Sequence, residues 1–291
     1  MNVSRRFFSC AALSTIALGI TLLFTASAAA ATKKPDPDNA SPPVPDVPPT
    51  SEATFDLRYK LSRGDVLRYN VTDKRSIIGT DEHTTQSAQS KTESVKVWKV
   101  TDVLPEGEIE FINLVERVHM VNQLPDEKSA EYDSDRDKTP PPGFEDAAQR
   151  VGVPLSLIRI TAGGKVVSRQ PKVRGKGADE DAPIVLRLPD KPVAIGDTWD
   201  EPFDVKVDLQ QGASKMVQTR WHHKLLDVKD GIATIEVTYQ ILTPIDASVE
   251  LQVVQRMMNG KVQFDIAKGR IVARQMGVDK RILGFAGPTS S

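Results

Sequence analysis

The sequence contains almost none of the groups that enzymes use for covalent or metal chemistry. It has one cysteine, Cys10, and four histidines. It lacks the Gly-x-Ser-x-Gly motif of many serine hydrolases and the His-x-His and His-Glu-x-x-His spacings of zinc sites. The stretch Gly175-Lys176-Gly177 lies among polar residues and not between a strand and a helix, so it predicts no phosphate-binding loop. We therefore predict no catalytic residue, no metal site and no cofactor, and we expect a protein that is not an enzyme.

The chain also lacks a strong excess of charge. Its formal net charge is −1, and acidic and basic residues are interspersed. Nucleic-acid binding requires a basic patch that counters the phosphate backbone. The composition therefore predicts no nucleic-acid partner.

The N-terminus has the three parts of a secretory signal peptide. Arg5 and Arg6 form a basic start, residues 11–24 are apolar, and residues 25–31 are small and offer Ala-x-Ala cleavage sites. The apolar run has about 14 residues, fewer than the roughly 20 that a membrane-spanning helix needs, which disfavours an uncleaved anchor. We predict cleavage before Thr32 and export to the periplasm or the extracellular space, with no integral membrane segment left.

Two further points follow from this segment. Arg5 and Arg6 precede two phenylalanines, an order that also resembles the twin-arginine export signal, so the export route stays open. Cys10 leaves with residues 1–31, and the mature chain then has neither a thiol nor a disulfide. Its stability must come from its core.

Residues 32–54 predict a disordered, proline-rich spacer. They carry seven prolines and few apolar side chains, so they cannot bury enough surface to offset the entropy of ordering. The prolines favour extended polyproline geometry, which suits a spacer. A segment with no role is equally consistent with this composition.

From residue 55 onward, apolar and polar residues alternate. One example runs from Ala233 to Ile241, where every second side chain is apolar. This alternation is typical of antiparallel strands with one buried face. Asn259-Gly260 predicts a two-residue hairpin turn, and one short helix is expected near residues 144–151. The fold class is all-β, with antiparallel sheets.

The same features occur twice along the chain in the same order. They are a Gly-Asp turn, an Asp-Val hairpin and a glycine before a closing basic strand, at Gly64 and Gly196, Asp102 and Asp227, and Gly164 and Gly269. We infer two β-units, residues 55–170 and 187–285. Residues 171–186 form a linker between them, and residues 286–291 form a flexible tail.

These repeated motifs resemble those of a family of secreted bacterial β-proteins of unknown function with two tandem β-units. The resemblance covers most of residues 55–285. The resemblance implies that the protein is exported and folds as two tandem β-units, and it identifies no catalytic residues. There is a looser likeness to half-barrel carriers of lipids and lipoproteins in the bacterial envelope, in which a curved antiparallel sheet holds an apolar ligand. A likeness of fold alone says little about function.

An acidic stretch around residue 135 begins like a calcium loop but does not continue as one. Asp133, Asp135 and Asp137 alternate as EF-hand ligands do. The sixth and twelfth positions, which need glycine and glutamate, hold Lys138 and Phe144. The stretch therefore predicts a solvated loop without metal.

His222 and His223 are neighbours on a predicted strand, so their side chains point to opposite faces. They cannot readily share one metal ion. The alternation places His223 on the core face and His222 in solvent.

Two segments carry apolar residues on both strand faces. They are residues 109–120 and residues 249–258, which we interpret as strands. Either both faces are packed in a core, or one face lines a cavity for a ligand. On the second interpretation Met120, Met257 and Met258 are the candidate ligand-binding residues, since their flexible thioethers adapt to varied apolar shapes.

Two functions remain open. The first is a non-enzymatic binding module of the cell envelope that holds a lipid, another apolar ligand or a partner protein. The second is a structural or assembly component of an envelope complex that binds no small molecule.

Overall fold

The computed structural model of this chain describes residues 53–81, 84–125, 127–173, 185–209, 213–285 and 289–291. In this part of the chain, two antiparallel sheets account for most of the structure, with two short helices between strands. The all-β prediction and the two tandem sheet units are confirmed. The predicted signal peptide and residues 32–52 of the predicted spacer lie outside the described residues.

The first sheet holds six strands. They are β1 (Val66–Asp81), β2 (Thr84–Val103), β3 (Ile109–Gln123), β4 (Ala130–Asp133), β5 (Pro154–Ile160) and β6 (Val166–Pro171). Their order is β1-β2-β3-β5-β6, and β4 pairs with the far end of β3. The pairing of β1 with β2 runs without a register shift from Val66 opposite Lys99 to Asp81 opposite Thr84. Helix α1 (Glu145–Ala148) follows β4 and confirms the short predicted helix.

The second sheet holds five strands. They are β7 (Thr198–Asp208), β8 (Ser214–Lys229), β9 (Ile232–Ile241), β10 (Asn259–Asp265) and β11 (Arg270–Gly277). Their order along the sheet is β11-β10-β9-β8-β7. The two sheets therefore follow the same path of successive antiparallel neighbours, except that β4 is an addition to the first.

The repeated Gly-Asp turn has the same geometry in both units. The backbone N–H of Gly64 donates to the carbonyl of Val100 at 3.0 Å, and that of Gly196 donates to the carbonyl of Leu225 at 2.7 Å. Both glycines have a positive φ, 91° and 98°, which favours glycine. A register shift follows in each second strand, between Val100 and Asp102 and between Leu225 and Asp227.

One hydrophobic core lies between the two sheets and draws on both. Phe111 and Ile160 of the first sheet pack in the same cluster as Ile235 and Phe264 of the second, and all four are almost fully buried. Burial of this apolar surface is the main stabilising contribution available to a chain without disulfides.

Two extended segments, residues 55–61 and 185–193, run through this core. Leu57 and Leu188 are fully buried, and the hydroxyl of Tyr59 donates to the carbonyl of Leu186. The structure thus places the end of the predicted linker 171–186 in the core, where Val185 and Leu186 are buried; residues 174–184 lie outside the described residues.

Each of these two extended segments is also hydrogen-bonded to the sheet unit of the other. The backbone N–H of Leu188 donates to the carbonyl of Gly163 at 2.8 Å, and that of Lys60 donates to the carbonyl of Gly269 at 3.1 Å. A β-carbon on Gly164 would lie 2.3 Å from the carbonyl oxygen of Leu186. Such close approach is possible only for glycine.

The expectation of a strand over residues 249–258 is wrong. The segment forms helix α2 (Ala247–Val253), continued by a 3₁₀ turn, Val254–Arg256. A carboxylate oxygen of Asp246 accepts hydrogen bonds from the backbone N–H groups of Ser248 and Val249, which is a helix N-cap. Val249 and Val253, one turn apart, are buried against β7 and β8.

The predicted hairpin turn at Asn259-Gly260 is also wrong, because both residues belong to β10. The side-chain oxygen of Asn259 accepts a hydrogen bond from the backbone N–H of Tyr239 at 2.9 Å. Gly260 is required by packing, since a β-carbon there would clash with the carbonyl oxygen of Gln275.

The last residues of the chain are docked on the first sheet. Ser290 is buried, and Ser291 exchanges two backbone hydrogen bonds with Thr80 of β1. This contact differs from the predicted flexible tail at 286–291, of which residues 286–288 lie outside the described residues.

Candidate functional site

The three methionines predicted to bind a ligand do not form one site. Met120 packs with Val118, Tyr132 and Phe144 in a cluster beside α1. Met257 and Met258 are neighbours that pack against the core shared by the two sheets. They follow the 3₁₀ turn and are not on opposite faces of a strand. Their role in ligand binding stays a prediction.

The two-faced hydrophobicity of β3 is accounted for largely by packing. Phe111 points into the shared core, whereas Leu114 packs on the other face with Val95 and Val97. Val97 is fully buried. Packing of both faces favours the filled-core alternative over an apolar cavity for this part of the strand.

The first candidate site is a polar cleft of about 300 Å³ on the outer face of the first sheet. Its lining comes from β1 to β4 and the loop after β4: Asn70, Val71, Thr72, Glu93, Ser94, Val95, Arg117, Val118, His119, Asp133 and Asp135. His119 lies between two carboxylates. Its Nδ1 is 3.5 Å from Glu93, and its Nε2 is 3.0 Å from Glu131.

The charges of this outer cleft already have partners. Arg136 contacts Glu131 at 2.6 Å and Asp133 at 2.9 Å. Hydrogen bonding from Lys91 lowers the pKa of Glu93, and hydrogen bonding from Arg136 lowers that of Glu131. In the part of the chain that the structure describes, no group of three or more His, Cys, Asp or Glu residues is arranged to hold a metal ion. The cleft therefore offers little free charge to a ligand.

The second candidate site lies between the sheets, where strands β1 and β2 of the first sheet approach β11 of the second. Tyr69 stands directly opposite Lys96 in the β1–β2 register. The ring of Tyr69 meets that of Trp98 edge-on at 5.5 Å. Because Lys96 and Trp98 are two residues apart on one strand, they share the face that looks toward the second sheet.

Arg274 approaches the same place from the second sheet. It lies opposite Val262, a fully buried member of the shared core, so its side chain leaves β11 on the inner face. Its charge is close enough to act on Lys96 and Tyr59. Arg270, on the same strand, acts on Tyr69.

Both central cations lack a partner. Lys96 and Arg274 are exposed to solvent, yet desolvation by the surrounding protein lowers the pKa of each. The two side chains are therefore recessed: protein surrounds them in part, and water still reaches them. Neither forms an ion pair within the described residues. The carboxylate that acts on Lys96, that of Asp73, pairs with Arg75 at 2.9 Å.

A neutral hydroxyl completes the group. The hydroxyl oxygen of Tyr69 is buried and has no hydrogen-bond partner among the described residues. Burial raises the pKa of Tyr69 to about 12, so the phenol keeps its proton and can donate it. We call Tyr69, Lys96, Arg270 and Arg274 the cationic mouth.

The chemistry of the cationic mouth suits binding. Guanidinium, ammonium and phenol groups are hydrogen-bond donors, and anions are their natural acceptors. Sequence reasoning missed this site because its members come from the hairpin β1–β2 and from β11, which is distant in the sequence. The one available signal was that Lys96 alternates with Trp98 and Val100, which places a charge on a core-facing position.

The two neighbouring histidines are placed as the sequence predicts. His223 is buried and stacks on Trp199 with ring centres 5.3 Å apart, whereas Nδ1 of the half-exposed His222 is 2.7 Å from Asp200. Burial lowers the pKa of His223 to about 4, so this ring is neutral.

No helix among the described residues is long and apolar enough to cross a membrane. Comparisons of the chain with protein-family models, with curated proteins and with solved structures find no match.

Proposed function

We propose that this protein is an exported, non-catalytic binding module of the cell envelope that holds an amphipathic anion at the cationic mouth. The observation that carries the proposal is that Lys96 and Arg274 face the shared core from different sheets, are near enough for their charges to interact, and form no ion pair in the described residues. A negatively charged head group would interact with both cations at once.

Electrostatics supports an anion at this place. Two like charges in a partly desolvated position oppose each other, and the charge of Arg274 lowers the pKa of Lys96. A carboxylate or phosphate would offset this repulsion, and the planar guanidinium of Arg274 can donate two parallel hydrogen bonds to it. The unpartnered hydroxyl of Tyr69 would add a third donor.

The surroundings support an apolar tail. Trp98 and Ile271 lie in the buried shared core beside the site, and the half-buried Met276, two residues from Arg274, offers apolar surface to a tail. Each methylene group moved from water to such a surface contributes about 0.8 kcal/mol. A chain of roughly ten carbons would then contribute about 8 kcal/mol, from which the cost of association has to be subtracted.

The test is calorimetric titration of the exported protein with decanoate and, separately, with 1-decanol. We expect saturable binding of decanoate, weaker binding of the uncharged alcohol, and at least a tenfold loss of decanoate affinity in Arg274→Gln. Lys99→Gln is the matched control, because Lys99 is an exposed cation on the opposite face of β2. Equal affinity of the two variants, or no saturable binding to the wild type, would overturn the proposal.

The second candidate function is an assembly component that binds no small molecule. It is favoured by a separate observation: apart from the contact of Thr80 with Ser291, no described strand pairs with the outer side of β1. A protein that binds neither decanoate nor decanol but associates with another envelope protein would support this alternative.

A further inference from the structure

The edge of β1 already accepts a piece of extended chain. The backbone N–H of Thr80 donates to the carbonyl of Ser291 at 2.7 Å, and the N–H of Ser291 donates to the carbonyl of Thr80 at 2.9 Å. Two residues that exchange both bonds form a rung of an antiparallel ladder. The chain end thus occupies one rung on the outer side of β1.

The remaining rungs on this side follow from the register. In an antiparallel pair, alternate residues direct both backbone groups to the same neighbour. Because Thr80 directs its groups outward and the β1–β2 register has no shift, the residues two, four and more positions before it also point outward: Arg68, Asn70, Thr72, Lys74, Ser76 and Ile78. Among the described strands, none pairs with β1 on that side.

Long open edges of this kind are usually protected, since they invite pairing with another chain. Strand β1 has 16 residues, contains no proline and has no bulge against β2. Residues 32–52 of this chain are a poor cover, because their seven prolines lack the N–H groups that a ladder needs.

Charge along the edge indicates the chemistry of the missing strand. The carboxylates of Asp73 and Glu116 are neutralised by Arg75 and Arg68, each at 2.9 Å. Lys74 has no ion pair within the described residues. Tyr69, a member of the cationic mouth, is itself a residue of β1, so a strand added beside it would also lie near that mouth. Among the described residues between Arg68 and Ile78, the charge without an ion pair is therefore positive.

We propose that the edge of β1 from Arg68 to Ile78 binds an extended acidic segment of a partner protein, which pairs with it as an added antiparallel strand. Backbone hydrogen bonds supply the affinity, and acidic side chains that meet Lys74 and β11 supply the selectivity. The backbone pairing itself requires no small molecule in the cationic mouth.

The experiment uses the exported protein and two labelled peptides, one with alternating Thr and Glu and one with alternating Thr and Lys, followed by fluorescence anisotropy. We expect saturable binding of the Glu peptide alone. Thr72→Pro should abolish it, because proline removes an outward N–H and leaves the β1–β2 hydrogen bonds in place. Lys74→Glu should weaken it at least fivefold, and the control Lys229→Glu, on an exposed site of β8, should not.

A measurement on the unaltered protein covers the case in which Thr72→Pro does not fold. Hydrogen exchange at the amides of Asn70, Thr72 and Lys74 should slow when the Glu peptide is added. Binding that is insensitive to peptide charge, or exchange that stays unchanged at these amides, would overturn the proposal. A concentration-dependent dimer that Thr72→Pro abolishes would also overturn it, in favour of a second copy of this chain as the occupant.

Discussion

The backbone N–H of Lys60 donates to the carbonyl of Gly269 at 3.1 Å, and this bond joins the first core segment to the last hairpin of the second sheet. The two segments approach so closely that a β-carbon on Gly269 would lie 2.3 Å from the backbone nitrogen of Lys60. Since Leu188 forms the corresponding bond to Gly163, each unit is held partly by backbone from the other.

Gly269→Ala should therefore destabilise the whole protein. The methyl group would displace residues 58–60 from the core, and the positive φ of 59° at this position also disfavours alanine. Overpacking of this kind costs about 1–3 kcal/mol. Urea denaturation should show this loss, whereas Gly277→Ala, at the end of β11 with no atom within 4 Å of the new carbon, should change stability little. Equal stability of the two variants would contradict the close packing.

The two β-units should unfold together. The shared core contains Phe111 of the first sheet and Phe264 of the second, and neither sheet could bury its inner face alone. We expect one calorimetric transition whose measured enthalpy equals the van't Hoff enthalpy. Two separate peaks would mean that the units are independently stable.

Local patterns in the sequence predicted most of the strands. The alternation from Ala233 to Ile241 corresponds to β9, in which every second side chain is buried. The turns at Gly64 and Gly196 were predicted because glycine and aspartate in this order favour a positive φ followed by a side-chain-capped turn.

Helix α2 was missed because two patterns overlap in one short segment. Val249, Leu251 and Val253 fit the period of a strand, whereas Val249 and Val253 also fit one turn of a helix. The N-cap residue Asp246 was the deciding signal. At Asn259-Gly260 the local preference for a turn is also overridden. Both residues pair in β10, where Gly260 packs against the backbone of Gln275.

The cationic mouth could not be predicted from local patterns. Lys96 and Arg274 are far apart in the sequence and belong to different sheets, whose inner faces pack on one shared core. Their significance also depends on the absence of a carboxylate partner in the described residues, which depends on tertiary structure.

Stability should fall with acid in the range where His223 would take up a proton. Burial lowers its pKa from 6.5 to about 4, so the folded protein resists protonation that the unfolded chain accepts. The stabilising effect is full above pH 6.5 and is lost as pH falls toward 4. The shift corresponds to roughly 3 kcal/mol.

The measurement is the free energy of unfolding in urea between pH 4 and pH 8. His223→Phe keeps a flat ring against Trp199 and should remove much of the decline in stability between pH 6.5 and 4. His222→Gln, at the half-exposed neighbour, should retain that decline. An unchanged pH profile in His223→Phe would show that another group causes the acid sensitivity.

The exported form should begin near Thr32. The apolar run over residues 11–24 is too short for a membrane-spanning helix, and small residues follow it. Intact-mass spectrometry of the exported protein should show the loss of residues 1–31. Recovery of the uncleaved chain in the membrane fraction would contradict this, and undiminished export after replacement of Arg5 and Arg6 by lysine would exclude the twin-arginine route.

The most direct test of the central claim is to map where an amphipathic anion binds. A decanoate analogue with a photoreactive diazirine would be crosslinked to the exported protein, and the labelled residues identified by mass spectrometry. We expect labelling of β1, β2 and β11 around Tyr69, Lys96 and Arg274, with competition by excess decanoate. Labelling confined to the outer cleft at His119 or to the cluster at Met120, or labelling that excess decanoate does not reduce, would contradict the account.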